Sequence, residues 1–124
     1  MKNKRILVID DNEAIRKSFT LALEDADYSV DTAESGQKGI ELAKLTKYDL
    51  IFLDLKMPGM NGVDTLRELR KMDPKVPVFI LTAFYKEFFG QLKELEEDGI
   101  EYEILNKPIG SDQIVFLTKS VLQD

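Results

Sequence analysis

Residues Leu50-Ile51-Phe52-Leu53 are four consecutive apolar side chains that run straight into Asp54, and Pro58-Gly59 turns the chain soon afterwards. A short apolar run bounded by turn signals reads as a strand buried on both faces, the kind found in parallel sheets. That is a strong constraint, because other elements must cover both faces. Asp54, as the last strand residue, then stands at the carboxyl end of its strand, where open parallel sheets collect function. A lone carboxylate delivered there is a candidate nucleophile or metal ligand.

The rest of the chain supplies the cover. Residues 5–9 are a second apolar strand, and Asp10-Asp11-Asn12 can cap a helix directly after it. Residues 13–26 carry Ile15, Phe19, Ala22 and Ala26 at helical spacing. Residues 28–33 alternate in polarity, as a strand near a sheet edge does. Ser35-Gly36 opens a helix to about residue 46, with Ile40 and Ala43 inward. Val63, Leu66 and Leu69 mark a helix that ends before Asp73-Pro74. Residues 76–82 read as a strand with Pro77 near its start, residues 83–98 as a fourth helix stopped by Gly99, residues 100–105 as a fifth strand, and residues 111–122 as a last helix. Strand then helix, five times, predicts a flavodoxin-like (βα)5 doubly wound α/β fold. Its five-stranded parallel sheet has the order 2-1-3-4-5. A chain of 124 residues with 44% hydrophobic side chains is expected to form one domain over residues 1–124.

Composition narrows the chemistry. The chain has no cysteine and no histidine, which excludes thiolate nucleophiles, zinc–thiolate sites, histidine-based triads and a phosphohistidine on this chain. A net charge of −6 tells against direct nucleic-acid binding and against anionic membranes. The sequence shows no secretory signal and no run of membrane-spanning length, so a cytoplasmic location is expected.

At the carboxyl ends of the strands stand Asp10 and Asp11, then Asp54, then Thr82, and Lys107 comes after the fifth strand. In the 2-1-3-4-5 order these groups converge on one crevice. Three carboxylates in one pocket repel one another, and a bound cation or a shared proton relieves that. Oxygen ligands without histidine or cysteine favour a hard ion, Mg²⁺ or Mn²⁺. The Thr82 hydroxyl and Lys107 ammonium suit a phosphoryl group, so Asp54 is expected to be a carboxylate nucleophile that forms an acyl phosphate.

Asp10-Asp11, Asp54 with Lys56-Met57-Pro58-Gly59, Thr82-Ala83 and Lys107-Pro108 together resemble the receiver domain of two-component response regulators, across essentially the whole chain. The resemblance implies Mg²⁺-dependent phosphorylation of Asp54 by a phosphohistidine of a sensor histidine kinase or a histidine phosphotransfer protein. It implies that Asp10, Asp11, Asp54 and the backbone carbonyl of Lys56 hold the metal. Lys107 would pair with Asp54 and then with the phosphoryl group, Thr82 would report phosphorylation, and the Lys107-Pro108 bond would be cis. Such a domain is a switch rather than a metabolic enzyme, catalysing only its own phosphorylation and dephosphorylation. It works on an output domain or a downstream protein.

The family's aromatic switch position, three before the lysine of Lys-Pro, is Ile104 here, and Tyr102 lies two residues further back. Phe84, Phe88, Leu92 and Leu95 form one stripe of the fourth helix, and Tyr85 and Phe89 widen it. The face made by the fourth helix, last strand and last helix, including Ala83, is therefore the expected output or homodimer surface. A wide core stripe is the plainer reading of the same residues. Lys56 and Phe84, each two residues after a site residue, are expected to border the pocket and slow loss of the phosphoryl group.

Each site residue also has a plainer reading. Asp10 and Asp11 fit a helix cap, Thr82 a strand former, and Lys107 a solvated loop lysine. Their joint presence around Asp54 tells against all of these. Two further functions compete: a degenerate receiver that acts as a phosphorylation-independent interaction module, and an aspartate-nucleophile phosphohydrolase. No second aspartate comes after Asp54 at the spacing the hydrolase needs.

Overall fold

The computed structural model describes residues 4–83 and 85–122. Along the chain come β1 (Arg5–Ile9), α1 (Glu13–Asp25), β2 (Ser29–Ala33), α2 (Gly36–Leu45), β3 (Leu50–Asp54), α3 (Gly62–Met72), β4 (Val78–Thr82), α4 (Phe89–Glu97), β5 (Glu103–Asn106) and α5 (Ser111–Leu122). A single 3-10 turn, Lys86–Phe88, precedes α4. All strands are parallel and the sheet order is β2-β1-β3-β4-β5. This is the α/β flavodoxin-like architecture that the strand–helix alternation predicts.

The sheet sorts its side chains by parity. Leu7, Ile9, Ile51, Leu53, Val78 and Ile80 pack with Leu66 and Leu69 of α3 and Leu92 and Leu95 of α4. Ile6, Val8, Leu50, Phe52, Phe79 and Leu81 pack with Phe19 and Leu23 of α1 and Ile114 of α5. Phe52 lies at the centre of this second layer, with ring centroids 4.9 Å from Phe19 and 5.5 Å from Phe79. Every residue of β3 and β4 is buried, as is β1 after Arg5.

The helices begin where the sequence supplies caps. Asn12 Oδ1 accepts from the Ile15 amide, Ser35 Oγ from Lys38, and Asn61 Oδ1 from Asp64. Gly62, the first residue of α3, sits directly on the end of β3. A Cβ there would lie 2.5 Å from the Asp54 carbonyl oxygen and 2.8 Å from Leu55 Cα. The Gly62 amide instead donates to the Leu55 carbonyl at 2.8 Å. Gly59, in the connection, has φ +75°, a backbone conformation that side chains resist.

Three boundaries differ from expectation. β4 starts at Val78 rather than residue 76, after Pro77, whose carbonyl accepts the Ile51 amide. The fourth helix starts at Phe89 rather than residue 83. The Thr82 hydroxyl accepts the Tyr85 amide in a local turn, no side chain caps the helix, and Gly90 disfavours its first turn. β5 starts at Glu103 rather than residue 100. Gly99 reverses the chain with φ +75°, the Ile100 amide returns to the Leu95 carbonyl, and the Arg70 guanidinium holds the Glu101 carbonyl at 2.7 Å. Residues 100–102 are thereby drawn towards α3 and α4. Phe84 of the expected helical stripe lies outside the described residues.

Candidate functional site

Parallel pairing brings the carboxyl ends of β1, β3 and β5 to the same end of the sheet. Asp54 ends β3 and is 2% exposed, and Asp10, just past β1, is fully buried. Asp11 beside it is exposed. One carboxylate oxygen from each of the three lies within 4.8 Å of the others.

Lys107 reaches this cluster from the far side of β4. Its amide donates to the Thr82 carbonyl at 2.7 Å, which fixes its backbone one step past the β4–β5 ladder, and the Lys107-Pro108 bond is cis. Its Nζ lies 2.8 Å from Asp54 Oδ1 and 3.0 Å from Asp10 Oδ2. One ammonium is therefore shared by two buried carboxylates. Asp10 is held further by the Asn12 amide, which donates to Oδ1 at 2.9 Å, and Arg16 Nη1 donates to its carbonyl at 2.8 Å.

Burial pushes the Asp54 carboxyl up to about 6. The Lys107 hydrogen bond and charge oppose this, while the charges of Asp10 and Asp11 reinforce it. For Lys107, burial lowers the pKa, but the hydrogen bonds and charges of Asp54 and Asp10 outweigh it and hold the ammonium above its ordinary value. Asp54 is thus a carboxylate at neutral pH, and Lys107 stays charged.

An open pocket lies over these groups, bordered by Lys56, Met57, Pro58 and Tyr85 as well as by Asp10, Asp11, Asn12, Asp54 and Lys107. The Lys56 ammonium turns from the carboxylates to Glu87 Oε1 at 3.8 Å and sits 5.2 Å from the centre of the Tyr85 ring. Thr82 is buried one residue beyond the Asp54–Leu81 pairing and does not line the pocket. Ala83 is exposed. Ile104 pairs with Ile80 across β4 and β5 and is 45% exposed. Tyr102 is half-buried, with its hydroxyl donating to the Leu92 carbonyl of α4. Tyr85 is half-buried and Phe89 is exposed.

The residues brought together are therefore Asp10, Asp11, Asp54, Lys56 and Lys107. Ile104, Tyr102 and Phe89 stand away from them. The sequence reading did not place Asn12 and Tyr85 on the pocket, nor Arg16 and Glu87 against its residues Asp10 and Lys56. Arg16 carries a faint signal, one helical turn after the cap residue Asn12. Glu87 carries none, because its position depends on the late start of α4.

The donor set suits a hard divalent cation. It is all oxygen, it holds three carboxylates, and a single ammonium serves its two buried members. Among the described residues no helix is long and apolar enough to cross a membrane.

Comparison with known proteins gives a consistent result. The sequence model described as the response regulator receiver domain matches residues 6–119. The cell cycle response regulator CtrA of Brucella ovis is 35% identical over 120 residues, which is 97% of this chain and 45% of that protein. The chain thus spans about half the length of the curated relatives it matches. The chemotaxis protein CheY4 of Vibrio cholerae superposes with a TM-score of 0.84 at 25% identity, covering 97% of this chain and 99% of that one. A receiver domain protein from Clostridium thermocellum superposes with a TM-score of 0.79 at 30% identity, covering 97% of this chain and 94% of that one.

Proposed function

The chain belongs to the response regulator receiver domain family, and from that premise we propose that residues 1–124 are a single phosphoacceptor domain whose Asp54 takes a phosphoryl group from a phosphohistidine. The donor is a sensor histidine kinase or a histidine phosphotransfer protein, met in the cytoplasm. The observation that carries this reading is a buried strand-end carboxylate 2.8 Å from a lysine ammonium, with two further carboxylates beside it and a pocket open above it.

The chemistry needs charge neutralisation and alignment more than covalent machinery. A carboxylate oxygen of Asp54 bonds to phosphorus while the phosphorus–nitrogen bond of the donor breaks. The imidazole leaves with the electron pair and takes up a proton from solvent. Asp54 is ionised above about pH 6, so the nucleophile exists at neutral pH. Lys107 keeps its charge and passes from the carboxylate to the oxygens of the transferred group. Asp10, Asp11, Asp54 and the Lys56 carbonyl would hold Mg²⁺ or Mn²⁺. When bound, the ion supplies positive charge that lets the carboxylates and the phosphoryl oxygens share one pocket. The Thr82 hydroxyl would leave the Tyr85 amide to bond a phosphoryl oxygen and favour a second conformation. The change would be read by an output domain or downstream protein, or by a second copy of the chain, on the face of α4, β5 and α5.

Incubation with Mg²⁺ and acetyl phosphate, then intact-mass measurement, tests the proposal. Gain of one phosphoryl group, lost in Asp54→Asn, is expected. No gain with several donors would leave the domain as an interaction module, and sustained phosphate release with turnover would make it a hydrolase.

A further inference from the structure

Resting on the acceptor reading, we propose that Lys56 carries the state of Asp54 to the turn ahead of α4 by changing anionic partners, from Glu87 at rest to the phosphoryl group once it is in place. Lys56 lies two residues after Asp54, borders the same pocket, and points its ammonium across the mouth. Its resting hold there is weak. The Lys56–Glu87 distance is 3.8 Å and both side chains are more than half exposed. A phosphoryl group on Asp54 brings a second negative charge and three acceptor oxygens to that pocket. It attracts the ammonium more strongly than one solvated carboxylate does, and it repels Glu87 at the same time. Both effects open the same bridge.

What the bridge restrains is a marginal element. Lys86–Phe88 is a three-residue 3-10 turn with no side-chain cap, closed by the Phe88 amide on the Tyr85 carbonyl and the Phe89 amide on the Lys86 carbonyl. The Tyr85 ring lies under Lys56 and meets Phe88 edge-on at 6.2 Å, and Phe88 is part of the core that α4 covers. Lys56 thus holds the turn twice, through the Glu87 carboxylate and through the face of Tyr85. Its departure loosens the start of α4 without any rotation of an aromatic side chain on β5. That matters in a chain whose corresponding β5 position is the half-exposed Ile104.

The test combines intact mass with amide hydrogen exchange under saturating acetyl phosphate and Mg²⁺. Phosphorylated wild type should exchange the Phe88 and Phe89 amides about two- to fivefold faster than resting wild type, the size expected for one surface ion pair. Resting Glu87→Gln and Lys56→Met should already show the faster exchange. On gaining the phosphoryl group Lys56→Met should not quicken further and Glu87→Gln should quicken less than wild type, because Lys56 still leaves the Tyr85 ring, whereas Lys56→Arg should respond as wild type does. Unchanged exchange in wild type that has gained the phosphoryl mass, or a full response in Lys56→Met, overturns the proposal. Wild type that gains no mass at all overturns the acceptor reading itself, a separate and recognisable failure.

Discussion

β3 and β5 flank β4 on opposite sides, and each delivers one half of the Asp54–Lys107 pair. They do so by different means. β3 is buried at all five residues, packed from both faces, and pressed by Gly62 at its end. β5 has four residues, of which Glu103, Ile104 and Asn106 are exposed. The lysine just past it is held by one backbone bond and by the carboxylates it serves. Asp54 is therefore placed by the core, while the cation is placed by its partners. A group placed by its partners can move when they change; a group placed by the core cannot.

The largest effect should come from the β3 side. Phe52→Ala removes a ring packed between Phe19 and Phe79 and should cost about 3–5 kcal/mol in urea unfolding. Gly62→Ala should cost about 1–3 kcal/mol, towards the upper end because the added methyl meets the backbone of Asp54 and Leu55, which has no rotamer to change. Its phosphorylation rate, tracked by intact mass, should fall as well, since the strand end must shift.

Asp54→Asn should act in the opposite direction. Burial holds this carboxyl at about 6 against an ordinary 3.8, so the folded state binds the extra proton between those values. Stability falls as pH rises through that window, and the penalty is fully present above about pH 6. Removing the charge should stabilise the metal-free protein by about 1–3 kcal/mol at pH 7, a gain that vanishes below about pH 4. Unfolding curves at the two pH values check it, and Mg²⁺ should shrink the difference by stabilising the wild type.

Ile104→Ala should produce the smallest change, below about 1 kcal/mol, because the side chain is half exposed at the sheet edge. If it costs as much as Phe52→Ala, β5 is core after all and the contrast with β3 collapses.

The same contrast sets what the sequence reveals. Leu50 to Asp54 announces its own fate, because burial on both faces demands an unbroken apolar run and nothing local competes. The caps at Asn12, Ser35 and Asn61 are equally plain, since each satisfies a nearby amide. The segment from Thr82 to Glu103 is not. Its helix start is decided by a hydroxyl that closes a turn, and its strand start by an arginine reaching over from α3. Both are encounters between residues distant in sequence or weak in propensity, so a periodicity reading over 83–98 and 100–105 overruns them. Lys56 shows the same limit. Its position two after Asp54 places it near the pocket, but its resting partner Glu87 depends on that late helix start.

The seat of Gly62 on the Asp54 carbonyl has one more consequence. The spatial address of Asp54 is written in main-chain atoms, which no side-chain substitution on the surface can edit. Exposed positions such as Phe89, Ile104 and Phe116 can then be changed while the carboxylate cluster keeps its coordinates. For protein engineering, that makes the chain a chassis whose buried carboxylate cluster and exposed surface can be altered separately.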